Sequence, residues 1–536
     1  MPHRLLPLFA VFIVTLCAVR STQAETDEQV LFSFDDVSIP WRDNVKLTLV
    51  RPQKHSGNPV LKPGGPESVD EMATLLYGTV LKEGDKFRMW YIAWPRWKTR
   101  EPAEMYWRPV AYAESVDGVN WTKPNLGLVE YRGDKRNNIV LVERNGEGQT
   151  AEALARPYDF VSVLRDEADP DAARRYKMAY IVYDEKAGWG TTATAVSADG
   201  LRWQVANSEP FTKGHFENTS LIRFRGLYYM TGQNIGRGGG ALLDGTDRGR
   251  LMTGFFSPDF KHWSNGRALN FFRSHAVDAP ESFGQEMHMG AGLWNRGNVV
   301  VGLYGRWYGD TMPKPPAKGA KSKPGSPVES LKIDLGLCYS NDAIHYREPV
   351  ENFVYVPRGE SHEWDSEAIL QAHAFHNTDA ETLIWYSHWN TSNPWPIPLL
   401  PEKIESRKIM GVGLLTLRRD GFGYLSKIVK QSNSARGMHR RDAAASILTK
   451  PLTLSKSGKL LLNVDGVSIE APFTVSLVDD AEQPLPGTRP TQVTTSGVRV
   501  PVDLGVPLPA DKPFRVKIEW PGDAADPHFY AAYLVP

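Results

Sequence analysis

The apolar positions of this 536-residue chain come in short runs, and the runs repeat. Phe87-Arg88-Met89-Trp90-Tyr91 is followed by Tyr176-Lys177-Met178-Ala179-Tyr180 and Leu227-Tyr228-Tyr229-Met230. Val299 to Tyr304 and Thr382-Leu383-Ile384-Trp385-Tyr386 continue the series. β-Branched and aromatic residues dominate these runs, and Gly, Asp or Asn bound them, which is the pattern of strands. Before each lies a further apolar stretch, such as Gly78-Thr79-Val80-Leu81 or Ser220-Leu221-Ile222-Arg223. After each comes a strand ending in Ser-x-Asp-Gly-x-x-aromatic. The copies are Ser115 to Trp121, Ser197 to Trp203 and Ser257 to Trp263, the last with Phe260 in place of Gly, and, in weaker form, Ser340 to Tyr346 and Arg418 to Tyr424. Asp-Gly accepts the positive φ of a tight hairpin turn, and the aromatic packs back on the sheet. Each repeat thus holds at least three strands, with a fourth available after the aromatic. Four-stranded units repeated radially make a propeller, and five copies predict five blades. Long parallel α/β alternation is not visible.

From about Ala443 the pattern changes. Ile447 to Leu454, Lys459 to Val464, Phe473 to Val478, Val498 to Leu504, Phe514 to Trp520 and Phe529 to Val535 read as short alternating strands joined by Gly/Pro/Asp turns. They predict a β-sandwich. The fold class is therefore all-β, with a propeller over 25–431, a basic linker over 432–442 and a sandwich over 443–536. Pro313 to Ser330, rich in Pro, Lys, Gly and Ser, reads as a loop within the fourth blade.

Residues 1–24 change the compartment. One positive charge precedes the apolar run Leu5 to Val19, and Ser21-Thr22-Gln23-Ala24 offers small residues for cleavage. That run is short of the roughly 20 residues needed to span a bilayer, so it reads as a cleaved signal peptide of a secreted or periplasmic protein. With Cys17 removed, Cys338 stands alone and no intrachain disulfide forms. Lys+Arg and Asp+Glu number 62 each, which argues against nucleic acid as a partner. No later segment is long and apolar enough to span a membrane, and the oligomeric state is not readable.

The third repeat reads Glu217-Asn218-Thr219-Ser220-Leu221-Ile222-Arg223-Phe224-Arg225-Gly226-Leu227-Tyr228-Tyr229-Met230. An acidic residue, a short apolar strand, a Gly turn and paired tyrosines resemble the five-bladed glycoside hydrolases: invertases, levansucrases, arabinanases and β-xylosidases. The organisation is closer still to exported bacterial propellers of the invertase type, with Asn137-Asn138-Ile139-Val140 after the first blade. The resemblance covers about Phe32 to Ser426 and implies that Glu217 is the general acid. Asp159, before Phe160 to Leu164, matches the family's second aspartate, which orients the acid and tunes its pKa. The family's base or nucleophile would fall near Tyr77, which is not an acid, so Glu71 or Asp70 is expected to serve.

Glycosidic cleavage needs one carboxylic acid to protonate the leaving oxygen and a second carboxylate to attack or to activate water. Inner strands of a propeller all end at the central channel, so carboxylates distant in sequence meet there. Around them Trp94 could stack on a sugar ring, as could Trp97 and Trp107. Arg156, His215, His288, Arg306 and His373 could bind hydroxyls or a charged substituent. Glu286-Met287-His288 and Glu363-Trp364-Asp365-Ser366-Glu367 add carboxylates near the axis. No cofactor is required; the resemblance allows a structural calcium. Zinc-type Cys/His spacing, a phosphate-binding Gly loop, a Gly-x-Ser-x-Gly elbow and HExxH are all missing. The expectation is a secreted hydrolase acting on plant or algal oligo- or polysaccharide. A glycan-binding propeller and a propeller glycoside phosphorylase are the alternatives.

Overall fold

The computed structural model describes residues 28–96, 107–143, 157–184, 189–207, 216–234, 250–273, 287–308, 332–390, 408–428, 444–522 and 526–536. Among them the chain is built from strands, with one 3₁₀ turn at Ala172–Arg174. Among the described residues no helix is long and apolar enough to cross a membrane.

The repeats fold as successive antiparallel meanders. Ala73–Glu83, Lys86–Trp94 and Val110–Ser115 form the first sheet. Pro157–Arg165, Tyr176–Asp184, Trp189–Ser197 and Arg202–Asn207 form the second, with Leu141–Glu143 added in parallel at its edge. Phe216–Phe224, Leu227–Asn234, Leu251–Ser257 and Ala268–Phe271 form the third. A larger sheet holds Met287–Asn295, Val300–Tyr308 and Lys332–Ser340, then Ala368–Leu370, Glu381–Trp389, Val412–Arg418 and Gln53–Lys54. Among the described residues its two halves are joined in strand pairing by a parallel bridge between Ile333 and Ala368, so it is two meanders touching at their edges.

The first strands of these meanders close a ring. Thr79 Oγ1 accepts a hydrogen bond from the Val163 amide. Asn218 Nδ2 donates to the Ala179 carbonyl, and Ser220 Oγ accepts from the Leu293 amide. Gln371 Nε2 donates to the His288 and Gly290 carbonyls at 2.8 and 2.7 Å. The His373 amide then donates to Gly78 O at 3.0 Å and returns the ring to its start. Side-chain hydroxyls serve as spacers here because edge amides at such close packing need partners that a neighbouring backbone cannot reach.

The Ser-x-Asp-Gly turns fasten one meander to the next. Ser115 Oγ and Asp117 Oδ1 accept from the backbone amides of the turn, at 2.7–3.2 Å, which fixes its shape. Gly118 O then accepts from Trp121 Nε1 of its own turn and from Trp385 Nε1 of the last meander, at 3.0 and 2.8 Å. Gly200 O does the same with Trp203 and Trp90, at 3.0 and 2.7 Å. Both glycines have positive φ, and a Cβ at either would lie 2.7–2.8 Å from the neighbouring indole. In the third and fourth copies Phe260 and Ala343 take the same left-handed conformation, φ 60° and 62°.

Two further sheets enclose a second core around Leu460, Phe473, Val516, Ile518 and Leu534. One contains Lys459–Asp465, Gly497–Val502 and His528–Val535; the other contains Ser446–Leu448, Phe473–Val478, Thr491–Val493 and Arg515–Glu519. The expected division at 431/443 is not how the strands pair. Gln29–Phe32 pairs with His528–Val535, Trp41–Asp43 with Ser446–Leu448, and Val45–Leu49 with Gly423–Lys427. The start of the described chain therefore belongs to the C-terminal sheets. The reason is edge coverage: each N-terminal strand supplies partners to edge amides that would otherwise be open. The joint is sealed by Asp420, a fully buried carboxylate. It receives Arg296 at 2.5 Å, Asn377 at 2.8 Å and Tyr533 OH at 3.0 Å.

Candidate functional site

At one end of the ring the first strands are irregular, and the irregularities recur. Register shifts fall between Leu75 and Thr79, opposite Tyr180/Val182 in the second sheet, between Asn218 and Ser220, and between His288 and Ala291. Phe160, Met289 and Gly290 have positive φ at these points. A bulge re-aims the side chains beside it. Here the bulges turn Tyr77, Phe160, Glu217, His288 and Met289 toward one region. Asp159 lies in the backbone of the second bulge, and its side chain is outside the described residues.

Hydrogen bonds tie the region together. Glu217 Oε2 accepts from Gln233 Nε2 at 2.7 Å, and Gln233 Oε1 accepts from the Met289 amide at 2.7 Å. One glutamine thus orients the carboxyl of the third strand against the bulge of the fourth. The His288 ring sits 3.4 Å from Tyr77 OH through Nδ1, and Tyr77 packs on Phe160 with centroids 4.2 Å apart. Trp307 and Trp389 lie 5.3 and 6.0 Å from the His288 ring. Burial, helped by the Arg250 guanidinium, holds His288 well below its ordinary pKa, so the imidazole is neutral. Arg250 stacks over Trp307 at 3.8 Å and Arg108 over Trp94 at 4.0 Å. Trp94, Tyr77, Phe160 and Met289 share one apolar cluster, with Trp307 and Trp389 packed against it. Such an arrangement offers a carboxyl, a neutral imidazole, a phenol and indole faces, the mixture that grips a sugar ring and its hydroxyls.

Of the residues expected from sequence, the structure gathers Glu217, His288 and Trp94 here, with Arg306 on the strand paired to Met287 and His288. Arg156 and His215 lie outside the described residues. His373 sits deeper, with Nδ1 2.9 Å from Ser220 Oγ. It lines a separate cavity of about 570 Å³ at the opposite ends of the first strands, with Arg165, Arg223, Trp294 and His376. Asp70 does not fit the role of base or nucleophile. It accepts from the Gly64 amide, Ser68 Oγ and Tyr91 OH, and pairs with Lys123 at 2.5 Å, so its lone pairs are committed. Asp365 repeats the arrangement with Tyr386 OH and Lys54, both at 2.7 Å. Asp70 is thus a repeated scaffold carboxylate. Glu71 forms an ion pair with Arg96 at 2.5 Å and accepts from the Glu67 amide at 2.9 Å.

Tyr77, Gln233, Trp307 and Trp389 were not singled out from sequence as site residues. Trp389 had a usable signal: Trp385-Tyr386-x-x-Trp389 repeats Trp90-Tyr91-x-x-Trp94. Among the described residues no group of three or more His, Cys, Asp or Glu could hold a metal.

No family model and no curated protein matches the sequence. Similar solved structures include a glycoside hydrolase family 43 arabinoxylan arabinofuranohydrolase from Bacillus subtilis in complex with cellotetraose. It shares 12% identity and a TM-score of 0.37, covering 91% of this chain and 99% of that one. Another comes from the GH130 family of mannoside phosphorylases, which contains glycoside hydrolases that target β-1,2 mannosidic linkages in Candida mannan. Identity is 12%, TM-score 0.41, and coverage 69% and 93%. A glycosyl hydrolase from Bacteroides ovatus matches at 12% identity and TM-score 0.39, with coverage 69% and 93%. At these identities and TM-scores the functional reading rests on the site's own geometry.

Proposed function

We propose that this chain is a secreted glycoside hydrolase, a five-bladed propeller braced by a C-terminal β-sandwich, that cleaves plant or algal oligo- or polysaccharide. The observation that carries this reading is the relay in which Gln233 donates to Glu217 and accepts from the Met289 amide, beside a neutral His288 and three tryptophans. Glu217 protonates the leaving oxygen. Asp159, in the neighbouring bulge, is the carboxylate that orients it, and Glu71 is the candidate base or nucleophile. Indole faces hold the sugar ring while His288 and Tyr77 meet its hydroxyls.

A phosphorolytic reading stands second, on a specific observation. Asp70 is saturated and Glu71 is already paired with Arg96, so the nucleophile would come from solution. Incubating the protein with a panel of plant and algal oligosaccharides, with and without inorganic phosphate, separates the readings. Free sugar without phosphate supports hydrolysis; release only with phosphate moves the chain to phosphorolysis. Absence of turnover throughout, with binding unaffected by Glu217→Gln, would leave a glycan-binding propeller.

A further inference from the structure

The cavity at the far ends of the first strands takes no part in the site around Glu217. It holds about 570 Å³, within the range of roughly 300–1,000 Å³ typical of small-molecule sites. Its wall follows the repeat. Lys82, Arg165 and Arg223 occupy one position in the first strands of the first three sheets, each paired with an aromatic near the start of the second strand: Phe87, Tyr176 and Tyr228. In the two halves of the larger sheet that position is Asn295, paired with Val300, and Asn377, paired with Thr382. A carboxylate stands at none of these positions, and Arg296 and Arg419 join the wall from adjoining turns. The acids around the wall are outnumbered in their own pairings. Arg174, Lys177 and Arg223 meet two carboxylates, Asp166 and Asp169. Arg296, Arg419 and Arg499 meet two more, Glu28 and Asp420. Arg165 pairs with Glu167 at 2.6 Å, and Lys82 Nζ donates to the Asp85 carbonyl at 2.7 Å. His376 on the same wall feels the excess: after burial, the Lys82 and Arg419 charges hold its imidazole down. Lys82, Arg165, Arg223 and Arg419 stay part-exposed, so a ligand in the cavity can reach them. Leu164, Ile222, Trp294 and Phe375 add apolar surface.

We infer that this cavity is a second ligand site, which takes a small molecule carrying an oxyanion. Guanidinium forks and an ammonium recognise carboxylate or phosphate oxygens through charge-assisted hydrogen bonds. The volume leaves room for a body of sugar size behind that group, resting on the apolar part of the wall. Two sources supply the oxyanion: the carboxylate of a sugar acid, or phosphate, free or carried on a sugar. Arg223 stands six positions after Glu217 on one strand, roughly 15–20 Å away at ~3.3 Å per residue. Between them lies the buried contact of Ser220 Oγ with His373 Nδ1. The second site therefore stands whether or not Glu217 is the acid of a glycosidase.

The test is isothermal titration calorimetry of the full chain with glucuronate, glucose 6-phosphate, inorganic phosphate and, as the neutral comparison, glucose. Wild type should bind at least one of the anions saturably, and glucose at least roughly tenfold more weakly. Glucuronate without the phosphates identifies a sugar acid; either phosphate without glucuronate identifies a phosphate ligand. Arg223→Gln should weaken that anion roughly tenfold. Lys82 donates to backbone carbonyls at the surface, so Lys82→Gln keeps the fold and should weaken the anion roughly threefold or more. Glu217→Gln should leave its affinity unchanged. No saturable binding of any anion, or glucose bound as tightly, would overturn the inference. So would an affinity that survives both Lys82→Gln and Arg223→Gln but falls in Glu217→Gln, since that puts the anion in the candidate site.

Discussion

His373 and His376 are three residues apart and line the same far cavity, where burial pushes each imidazole down to about 4. For His376 the Lys82 and Arg419 charges add to burial. In the unfolded chain these rings take up protons near pH 6.5. Between about 6.5 and 4 the unfolded state therefore binds more protons than the folded one. The neutral rings cost nothing above pH 6.5, and stability falls as the pH drops toward 4. The loss is on the order of 2–3 kcal/mol for each histidine. Urea midpoints measured from pH 7.5 to 4.5 should fall less steeply in His376→Gln than in wild type; parallel curves would contradict this. At this scale the sequence was informative where chemistry is local. Glu217 stands out as a candidate because a strand, a Gly turn and paired tyrosines follow it. Asp70 misled because its partners Tyr91 and Lys123 come from other segments, and only folding shows that they saturate it.

Among the elements, the Ser-x-Asp-Gly turn was legible because its hydrogen bonds stay within a few residues. What it fastens was not legible. The indoles reaching Gly118 and Gly200 come from Trp385 and Trp90, 267 and 110 positions away. This explains why glycine stands in those two copies and not at Phe260 or Ala343. Gly200→Ala should cost roughly 2–4 kcal/mol, from left-handed backbone strain plus a clash with the Trp90 ring. Ala343→Gly should change stability by no more than about 1 kcal/mol, since relief of strain offsets added chain entropy. Urea denaturation of both variants checks the pair; an equal response would contradict the fastener. The bulges that aim Tyr77, Glu217 and His288 were hidden for a related reason. A bulge is a mismatch between two strands, and neither strand declares it alone.

Across the whole molecule, the N-terminal strands and the Asp420 cluster join the two sets of sheets, which should unfold as one unit. Asp420→Ala leaves Arg296 buried without its main partner and should cost about 3–5 kcal/mol. Calorimetry should show one transition in wild type, moved to lower temperature in Asp420→Ala. Two well-separated transitions in wild type would contradict the coupling. Composition and turn spacing made the all-β class and the change of pattern near Ala443 readable. Pairing between Gln29–Phe32 and the last strand was not, because strands so far apart in sequence carry no local mark of each other. The same long-range assembly brings the candidate site together, where we propose that Glu217 donates the proton to the leaving group. That claim is tested most directly by comparing glycosides with good and poor leaving groups. A nitrophenolate departs without help, whereas a sugar alkoxide needs the proton. Glu217→Gln should lose roughly 10²–10⁴-fold in kcat/KM on the poor leaving group and little on the good one. Equal loss on both, or loss on neither, would contradict it.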